Sequence, residues 1–181
     1  MITITEYNFL EELEKENIKF EKVNELLVNK LIERKLKIAS AESCTGGLIS
    51  KKITEISGAS NVFDCGICSY SNNIKHKLLK VEENTLKTLG AVSAETAIQM
   101  ASGVMNVANS NIGISTTGIA GPTGGTAEKP VGLVYIGCAV NNSSIAVKAL
   151  FNADKINSRE RIRELAATYA MYLAYKNITK Y

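Results

Sequence analysis

A hydroxyl, a thiol and two glycines directly follow a short apolar segment in the first third of the chain. Residues 36–41 have the composition of a strand, and residues 41–47 (AESCTGG) lead from it into an amphipathic helical pattern. A strand that enters a helix through small polar residues exposes backbone N–H groups at the helix start, where the helix dipole favours negative charge. We therefore expect this turn to hold an anion or an oxyanion, which marks a candidate site without defining a reaction.

Two neighbouring pairs of side chains could supply nucleophilic chemistry at this turn. Ser43 needs a base, and Lys75 can act as one only if burial or a neighbouring cation lowers its pKa from about 10.4 by several units. Cys44 with His76, the only histidine of the chain, is the alternative pair, because a thiol at a helix start has a lowered pKa. Adjacent helical residues point about 100° apart, so the two pairs cannot face one pocket equally well. The sequence leaves this choice open.

A glycine-rich loop and three arginines are further candidates for ligand contacts. Residues 118–130 contain four glycines and both prolines of the chain, and so long a structureless loop in a compact domain is usually functional. The loop has neither a Walker nor a dinucleotide-binding pattern, but its amides can surround a phosphate or a ribose. Arg159, Arg161 and Arg163 open the last helix, where alternate residues do not share a face. One of them can therefore reach a ligand while the others are solvated.

The remaining cysteines and the overall charge argue against several other classes of protein. Cys65 and Cys68 have the spacing of a redox or zinc motif, but they fall in a strand pattern whose i and i+3 residues point to opposite faces. No second Cys or His pair completes a zinc site, so we expect four free thiols and no metal. The net charge of +3 comes from scattered residues and does not favour a nucleic-acid surface. No segment resembles a signal peptide or an apolar span of about eighteen residues, which predicts a cytoplasmic protein without a membrane partner.

Length and hydrophobic patterning predict a single α/β domain. The 181 residues are 45% hydrophobic and 22% charged, which are ordinary values for a globular protein. Strands interleaved with helices, together with one hairpin, predict a mixed sheet covered by helices on both faces. After the strand at 36–41, the predicted strands are 62–70, 111–117 and the hairpin 131–140 with 145–151; the predicted helices are 5–17, one from 23 through 31, 48–56, a short one within 71–77, 82–89, a longer one from 93, and a last one from 157 or 158 to 175.

Several segments together resemble the CinA C-terminal domain family, in order and with matching spacing over residues 23–175. They are AESCTGG at 41–47, GAS at 58–60 with Phe63 and Gly66, YSN at 70–72 with Lys75, GAVS at 90–93, and TGIAGP at 117–122 followed by Gly124, Gly125 and KPVG at 129–132. The resemblance implies a three-layer α/β/α sandwich with a mixed sheet over residues 23–181, preceded by a helical extension at 1–22. It implies neither a metal nor a cofactor. Many relatives carry a further N-terminal domain that resembles molybdopterin-binding proteins. The resemblance does not imply the activities of that domain for this chain.

The resemblance also implies an activity, the hydrolysis of nicotinamide mononucleotide to nicotinate mononucleotide and ammonia in pyridine-nucleotide salvage. It marks Ser43 as the nucleophile and Lys75 as its base, with Tyr70 beside them. The implied partner is a small-molecule pyridine nucleotide, and the implied assembly is a homodimer or a higher homo-oligomer. Substrate contacts are expected from the nucleophile turn, the glycine loop and the start of the last helix, namely from Cys44, Thr45, Gly46, Gly47, Thr117, Gly118, Gly121, Gly124, Gly125 and Arg159.

Two alternatives stay open beside this amidase. One is a non-catalytic module that uses the same pocket to sense nucleotides or to serve a regulatory role linked to competence or DNA damage. The other is an amidase that acts through Cys44. Between Phe151 and Arg159 the chain is a few residues longer than the usual turn of the family, which bears directly on the role of Arg159.

Overall fold

The computed structural model of the chain describes residues 3–141, 143–151 and 158–179. Within these ranges it contains six strands and seven α-helices. The strands are β1 (Thr3–Ile4), β2 (Ile38–Glu42), β3 (Phe63–Cys68), β4 (Ile112–Gly118), β5 (Leu133–Val140) and β6 (Ser143–Leu150). The helices are α1 (Glu6–Lys15), α2 (Val23–Arg34), α3 (Leu48–Thr54), α4 (Asn72–Leu79), α5 (Glu83–Thr88), α6 (Ala94–Ala108) and α7 (Ser158–Thr179).

The strands form one mixed sheet in the order β1-β6-β5-β4-β2-β3. Strand β2 runs parallel to both β3 and β4, whereas β4, β5 and β6 are antiparallel neighbours. Glu42, the last residue of β2, pairs with Thr116 of β4 on one side and with Cys68 of β3 on the other. The carboxyl ends of three adjacent parallel strands therefore meet at one edge of the sheet, and the segments that follow them lie close together.

Helices cover both faces of the sheet, which confirms the predicted three-layer α/β/α sandwich. Helix α6 packs along one face with α4 beside it, while α7 covers the other face together with α2 and α3. Helix α6 approaches the sheet closely: a Cβ atom built on Gly113 of β4 would lie 2.0 Å from the Ala101 carbonyl oxygen, and one on Gly137 of β5 would lie 2.3 Å from that of Ala97. The small residues of this helix and of the strands beneath it are what allow the two layers to meet.

Alternation along β2 sends its side chains to the two different layers. Ala39 and Ala41 pack with Met100 and Val104 of α6, so the intervening residues face the opposite helical layer. Glu42 consequently points toward α3, and Ser43, one residue further on, lies on the side of α4 and α6. Two consecutive residues at the end of β2 therefore lie in different helical layers.

The predicted elements are largely confirmed, and the differences lie at their ends. Strand β1 was not predicted, because two residues that pair with β6 carry no periodic pattern. The strand predicted at 62–70 ends at Cys68, and the last helix continues to Thr179 rather than to residue 175. The hairpin of β5 and β6 is present. The described residues do not include Asn142, where a hairpin turn is predicted, or residues 152–157, where a longer turn and a helix start at Asn157 are predicted.

The N-terminal helix α1 packs into the same core as the rest of the chain. Thr5 caps it by accepting a hydrogen bond from the Asn8 backbone N–H at 3.2 Å. Phe9 is fully buried, and its ring lies 4.8 Å from that of Tyr169 and 5.6 Å from that of Tyr172, both on α7. The boundary between a helical extension at 1–22 and a domain at 23–181 stays a prediction, but the extension is an integral part of the packed structure.

None of the helices formed by the described residues has the length and apolarity needed to cross a bilayer. This includes α7, which has 22 residues.

The packing of α1 gives a first testable prediction. Replacing Phe9 by Ala removes a buried ring from an aromatic cluster, so we expect the free energy of unfolding to fall by about 3–5 kcal/mol. Replacing Tyr7 of the same helix, which is 73% exposed, by Ala is expected to change it by about 0.5 kcal/mol or less. Chemical denaturation of both variants measures the difference. Equal effects of the two substitutions would contradict the integral packing of α1.

Candidate active site

A cavity of about 210 Å³ lies at the carboxyl edge of β2, β3 and β4. Ser43 and Cys44, which follow β2, and residues at the start of the glycine loop reach it. Its lining consists of Ser43, Cys44, Tyr70, Lys75, Ala91, Val92, Thr117, Gly118, Ala120 and Arg159.

A second and larger cavity, of about 420 Å³, lies at the other end of the sheet. It is lined by Arg34, Leu36, Asn111, Ile112, Val140, Asn141 and Ile178. Arg34 is the only ionisable side chain among these residues, and no nucleophile accompanies it. Of these two cavities, the one at the carboxyl edge of the strands contains a hydroxyl beside an amine, Ser43 with Lys75, which nucleophilic chemistry requires.

Lys75 is a buried amine held against Ser43. It lies on α4, whose N-cap Ser71 accepts a hydrogen bond from the Ile74 backbone N–H at 3.2 Å. Its side chain reaches back to the strand ends, where Nζ lies 3.0 Å from Ser43 Oγ, 2.7 Å from the Ser69 carbonyl oxygen and 3.4 Å from that of Tyr70. Lys75 is only 1% exposed. Among the described residues, no carboxylate forms an ion pair with it.

Burial lowers the pKa of Lys75 to about 8, because desolvation disfavours the ammonium form. As an ammonium, the side chain donates hydrogen bonds to all three oxygens. As a neutral amine it has two N–H groups, which suffice for the two carbonyls, and its lone pair then faces the Ser43 hydroxyl. The geometry therefore allows Lys75 to accept the Ser43 proton near neutral pH.

The structure does not form the alternative pair of Cys44 and His76. Cys44 lines the cavity, but burial raises the pKa of its thiol to about 12. His76 lies on another side of α4, where its Nδ1 atom is 2.8 Å from the Val81 carbonyl oxygen. With no imidazole in reach and a thiol that remains protonated, the site favours Ser43 as the nucleophile.

The helix start predicted to hold an anion is occupied by a carboxylate of the chain itself. The Glu42 side chain accepts hydrogen bonds from the backbone N–H groups of Gly47 at 2.9 Å, Ile49 at 3.0 Å and Ser50 at 2.9 Å. Gly46 and Gly47 adopt positive φ angles of 59° and 94°, which bring the turn into position around this carboxylate. The expectation that a ligand would meet the positive end of this helix is corrected accordingly, because β2 directs Glu42 there first.

Thr45, Gly46 and Gly47 consequently do not line the cavity. The Thr45 hydroxyl is buried between Glu42 Oε2, at 2.8 Å, and Thr116 Oγ1, at 2.7 Å. Gly46 is exposed on the outside of the turn, and the Gly47 N–H is committed to Glu42. The importance of Glu42 was missed at the level of sequence, although an acidic residue shortly before a helix start is a recognisable signal.

Only the first part of the glycine loop reaches the cavity. Thr117 and Gly118 line it, and the Thr117 hydroxyl donates to the Ala91 carbonyl oxygen at 2.6 Å. Ala120 also lines it, and the loop then folds back. The Ile119 and Gly132 backbone N–H groups hold this fold by donating, each at 2.8 Å, to the carbonyl oxygens of Leu133 and Ile119 respectively. The structure does not bring Gly121, Gly124 and Gly125 to the cavity: Gly121 is buried beside it, and the other two are exposed on the outer part of the loop.

The three arginines of the last helix have three different protein partners. Arg159 lines the cavity and donates to the Gly121 carbonyl oxygen. Arg161 forms an ion pair with Glu6 at 2.8 Å, and Arg163 donates to the Thr45 carbonyl oxygen at 2.7 Å through Nη2. The two arginines outside the cavity are therefore only partly solvated, since each also ties α7 to another segment.

Tyr70 forms the exposed side of the cavity, and the lining as a whole is positively charged. Tyr70 lines the mouth with 73% of its surface exposed. Lys75 and Arg159 are the charged residues of the lining, and no carboxylate is among them. A site with this charge suits an anionic ligand.

The described residues contain no cluster of three or more His, Cys, Asp or Glu side chains that could hold a metal ion. Cys65 lies half-buried and Cys68 exposed on β3, and all four cysteines are free thiols.

The fold and the cavity define a class of protein: a three-layer α/β/α domain with a buried Ser–Lys pair at the carboxyl edge of its parallel strands. The family model of the CinA C-terminal domain matches residues 20–178. The chain therefore belongs to the CinA C-terminal domain family, as its sequence motifs predicted.

Relatives in this family are similar over most of the chain. A protein of Thermoanaerobacter sp. named as competence-damage inducible is 52% identical over 141 residues, which is 78% of this chain and 34% of that protein. A CinA-like protein of Kosmotoga olearia is 51% identical over 151 residues, or 83% of this chain and 36% of that protein. The chain thus spans about a third of the length of these curated relatives.

Solved structures have the same fold. The crystal structure of the competence/damage inducible protein CihA from Agrobacterium tumefaciens gives a TM-score of 0.81 at 38% identity, over 85% of this chain and 92% of that one. A CinA superfamily protein from Klebsiella pneumoniae gives 0.83 at 25% identity, over 90% and 99% of the two chains.

The lowered pKa of Lys75 gives a prediction that requires no knowledge of the substrate. Between pH 8 and 10.5 the unfolded chain keeps the Lys75 proton while the folded chain has lost it, so stability rises with pH across this window. We expect the free energy of unfolding of the wild type, relative to that of a Lys75→Met variant, to increase by about 3 kcal/mol from pH 7 to pH 10.5. Denaturant titrations at several pH values measure it, and groups that titrate in both proteins cancel. A difference that does not change with pH would mean that the amine is not desolvated.

Proposed function

We propose that the chain is a nicotinamide-nucleotide amidase that hydrolyses nicotinamide mononucleotide to nicotinate mononucleotide and ammonia. The observation that carries the proposal is the distance of 3.0 Å between Lys75 Nζ and Ser43 Oγ in a cavity that desolvates the amine. A serine hydroxyl next to an amine that is neutral near pH 8 is suited to acyl transfer. Membership of the CinA C-terminal domain family supports the same reading.

In the proposed reaction, neutral Lys75 takes the proton of Ser43 while Oγ forms a bond to the carboxamide carbon. The tetrahedral intermediate collapses as Lys75 returns the proton to the departing nitrogen, which leaves as ammonia. A water molecule then attacks the acyl-enzyme with Lys75 as its base, releases the carboxylate and restores the Ser43 hydroxyl. The same amine serves both half-reactions because it can hold a proton and release it near neutral pH.

The developing oxyanion needs a donor inside the cavity. The Gly47 N–H is already bound to Glu42, so we assign this role to the backbone N–H of Cys44, which directly follows the nucleophile and lines the cavity. Cys44 thus contributes its amide, while its thiol stays protonated.

The charge of the lining supports a nucleotide as the substrate. We assign the phosphate contact to Arg159, which lines the cavity and donates one hydrogen bond to the Gly121 carbonyl oxygen. Thr117 and Gly118 also line the cavity and are proposed to contact the ribose, while Tyr70 lines its exposed side. We further propose a homodimer or higher homo-oligomer that works in the cytoplasm, with no cofactor, no nucleic acid and no membrane as a partner.

The second candidate function is a nucleotide-sensing or regulatory module without turnover. The names of the relatives, which refer to competence and damage, favour it. It requires that nicotinamide mononucleotide raise the melting temperature of the chain while no ammonia is released.

Ammonia release separates the two possible nucleophiles. We expect Ser43→Ala to lower the rate of ammonia formation from nicotinamide mononucleotide by about 10³-fold or more, because no acyl-enzyme can form. Cys44→Ala should stay within about tenfold of the wild type, since its thiol is protonated and its amide is retained. The assay is a coupled measurement of ammonia at saturating substrate. The reverse order of the two variants would assign the reaction to Cys44.

The role of Arg159 is tested with a substrate that lacks the phosphate. Losing a charge-assisted hydrogen bond costs about 1.5–3 kcal/mol, so Arg159→Ala should raise the KM for nicotinamide mononucleotide by roughly 10-fold to 100-fold. With nicotinamide riboside, wild type and variant should have similar kcat/KM values. Arg161→Ala is the matched control, because this residue pairs with Glu6 outside the cavity. Equal losses on both substrates would exclude a phosphate contact by Arg159.

A further inference from the structure

Glu42 is a buried carboxylate surrounded by hydrogen-bond donors. It has no exposed surface. Its Oε2 atom accepts from the Thr45 hydroxyl and from the Gly47 and Ile49 backbone N–H groups, and its Oε1 atom accepts from the backbone N–H and the hydroxyl of Ser50. All five of these contacts are 3.0 Å or shorter.

No cation accompanies this carboxylate within the described residues, and it does not line the cavity. A buried charge without a counter-ion is costly, so donors fixed by the fold must compensate it. Here all five donors belong to the turn before α3 or to the first residues of this helix, and three of them are backbone N–H groups, so this segment cannot move without breaking contacts to Glu42.

The backbone of Glu42 connects this arrangement to the Ser–Lys pair. Its carbonyl oxygen accepts the Ser69 backbone N–H at 2.8 Å, and the Ser69 carbonyl oxygen in turn accepts Lys75 Nζ at 2.7 Å. Lys75 Nζ lies 3.0 Å from Ser43 Oγ, and Ser43 is covalently joined to Glu42. These four residues form a closed ring of one covalent and three hydrogen-bonded links.

A second set of contacts holds the other side of the nucleophile. The Ser43 backbone N–H donates to the Thr116 carbonyl oxygen at 3.0 Å, while the Thr116 hydroxyl is 2.7 Å from that of Thr45. Thr45, the second residue after Ser43, is itself bound to the carboxylate of Glu42, the residue that precedes Ser43.

We propose that Glu42 is the positioning residue of the nucleophile: its carboxylate fixes the turn at residues 45–50 and thereby holds Ser43 Oγ at Lys75 Nζ. The inference rests on the proposed function and adds to it a residue that touches neither the substrate nor the reacting atoms. Its loss should therefore lower kcat and leave KM nearly unchanged, since the cavity wall that binds the ligand stays in place.

Glu42→Gln is the most informative substitution. An amide of the same shape can direct its oxygen to the Gly47 and Ile49 N–H groups, but its NH₂ group then faces the Ser50 N–H, and two donors meet. We expect the turn to shift and kcat for ammonia release to fall by roughly 10-fold to 100-fold, as small displacements of reacting groups do, with KM within about threefold of the wild type.

Ile53→Val is the matched control for stability. Ile53 is fully buried in the same helix α3 but has no contact with the carboxylate, so shortening it weakens the packing of α3 without disturbing the ring. At a temperature where both variants are folded, kcat should fall in Glu42→Gln and not in Ile53→Val, even if their melting temperatures decrease equally. Equal losses of kcat would reduce Glu42 to a structural role and overturn the inference.

A second measurement does not depend on the identity of the substrate. A fluorophosphonate probe reacts with an activated serine: Ser43 Oγ forms the bond to phosphorus, fluoride leaves, and Lys75 takes the hydroxyl proton. Mass spectrometry of Ser43 should show labelling of the wild type and at least about tenfold slower labelling of Glu42→Gln.

The outcomes separate the inference from the proposed function. Labelling of the wild type without turnover of nicotinamide mononucleotide would contradict the proposed substrate and still test Glu42 through the labelling rates. Turnover or labelling that Glu42→Gln leaves unchanged would overturn the role of Glu42 alone. A wild type that shows neither turnover nor labelling would overturn both.

Discussion

The site depends on the removal of one lysine amine from water. Lys75 Nζ is held by two backbone carbonyls and one serine hydroxyl, and no carboxylate of the described residues compensates its charge. Had an aspartate or glutamate been placed beside it, the amine would stay protonated and could not serve as a base. The absence of a carboxylate from the lining is therefore as important as the short distance to Ser43. Glu42, which precedes Ser43 in the chain, faces the opposite side of the sheet and forms no ion pair with the amine.

The separation of Glu42 from Lys75 follows from the geometry of the end of β2. Successive residues of β2 point to opposite faces, so the carboxylate of Glu42 stabilises α3 while the hydroxyl of Ser43 meets α4. The Glu42 carboxylate and the Lys75 amine therefore lie on opposite sides of this strand end and do not form an ion pair. The glycines at 46 and 47 contribute by adopting positive φ angles, which allow the chain to turn tightly around Glu42.

Much of the fold could be predicted from the sequence, because the periodic apolar patterns and the order of strands and helices were clear. The mixed sheet, the hairpin and the helices on both faces are confirmed. Individual contacts in the site could not be predicted in the same way.

Local sequence patterns do not encode the angles at which helices pack. They therefore do not show whether Lys75 or His76 of α4 faces the cavity, or which arginine of α7 reaches it. The helix start after Ser43 was correctly seen as a place for an anion, but hydrogen bonding within the chain fills it with Glu42. Gly121, Gly124 and Gly125 of the glycine loop were expected to contact the substrate, whereas the loop, held by the backbone hydrogen bonds of Ile119 and Gly132, leaves the cavity after Ala120.

The position of β3 at the edge of the sheet couples the chemistry to local unfolding. Both carbonyl groups that hold the Lys75 amine belong to the segment directly after β3, which pairs with β2 on one side only. Edge segments open at a lower free energy than the centre of a sheet, so this one can separate while the core remains folded. Opening would admit water to the amine, restore its ordinary affinity for protons and remove the base from Ser43. The reactivity proposed for Ser43 is accordingly expected to depend on the local stability of one edge strand as well as on the stability of the whole domain.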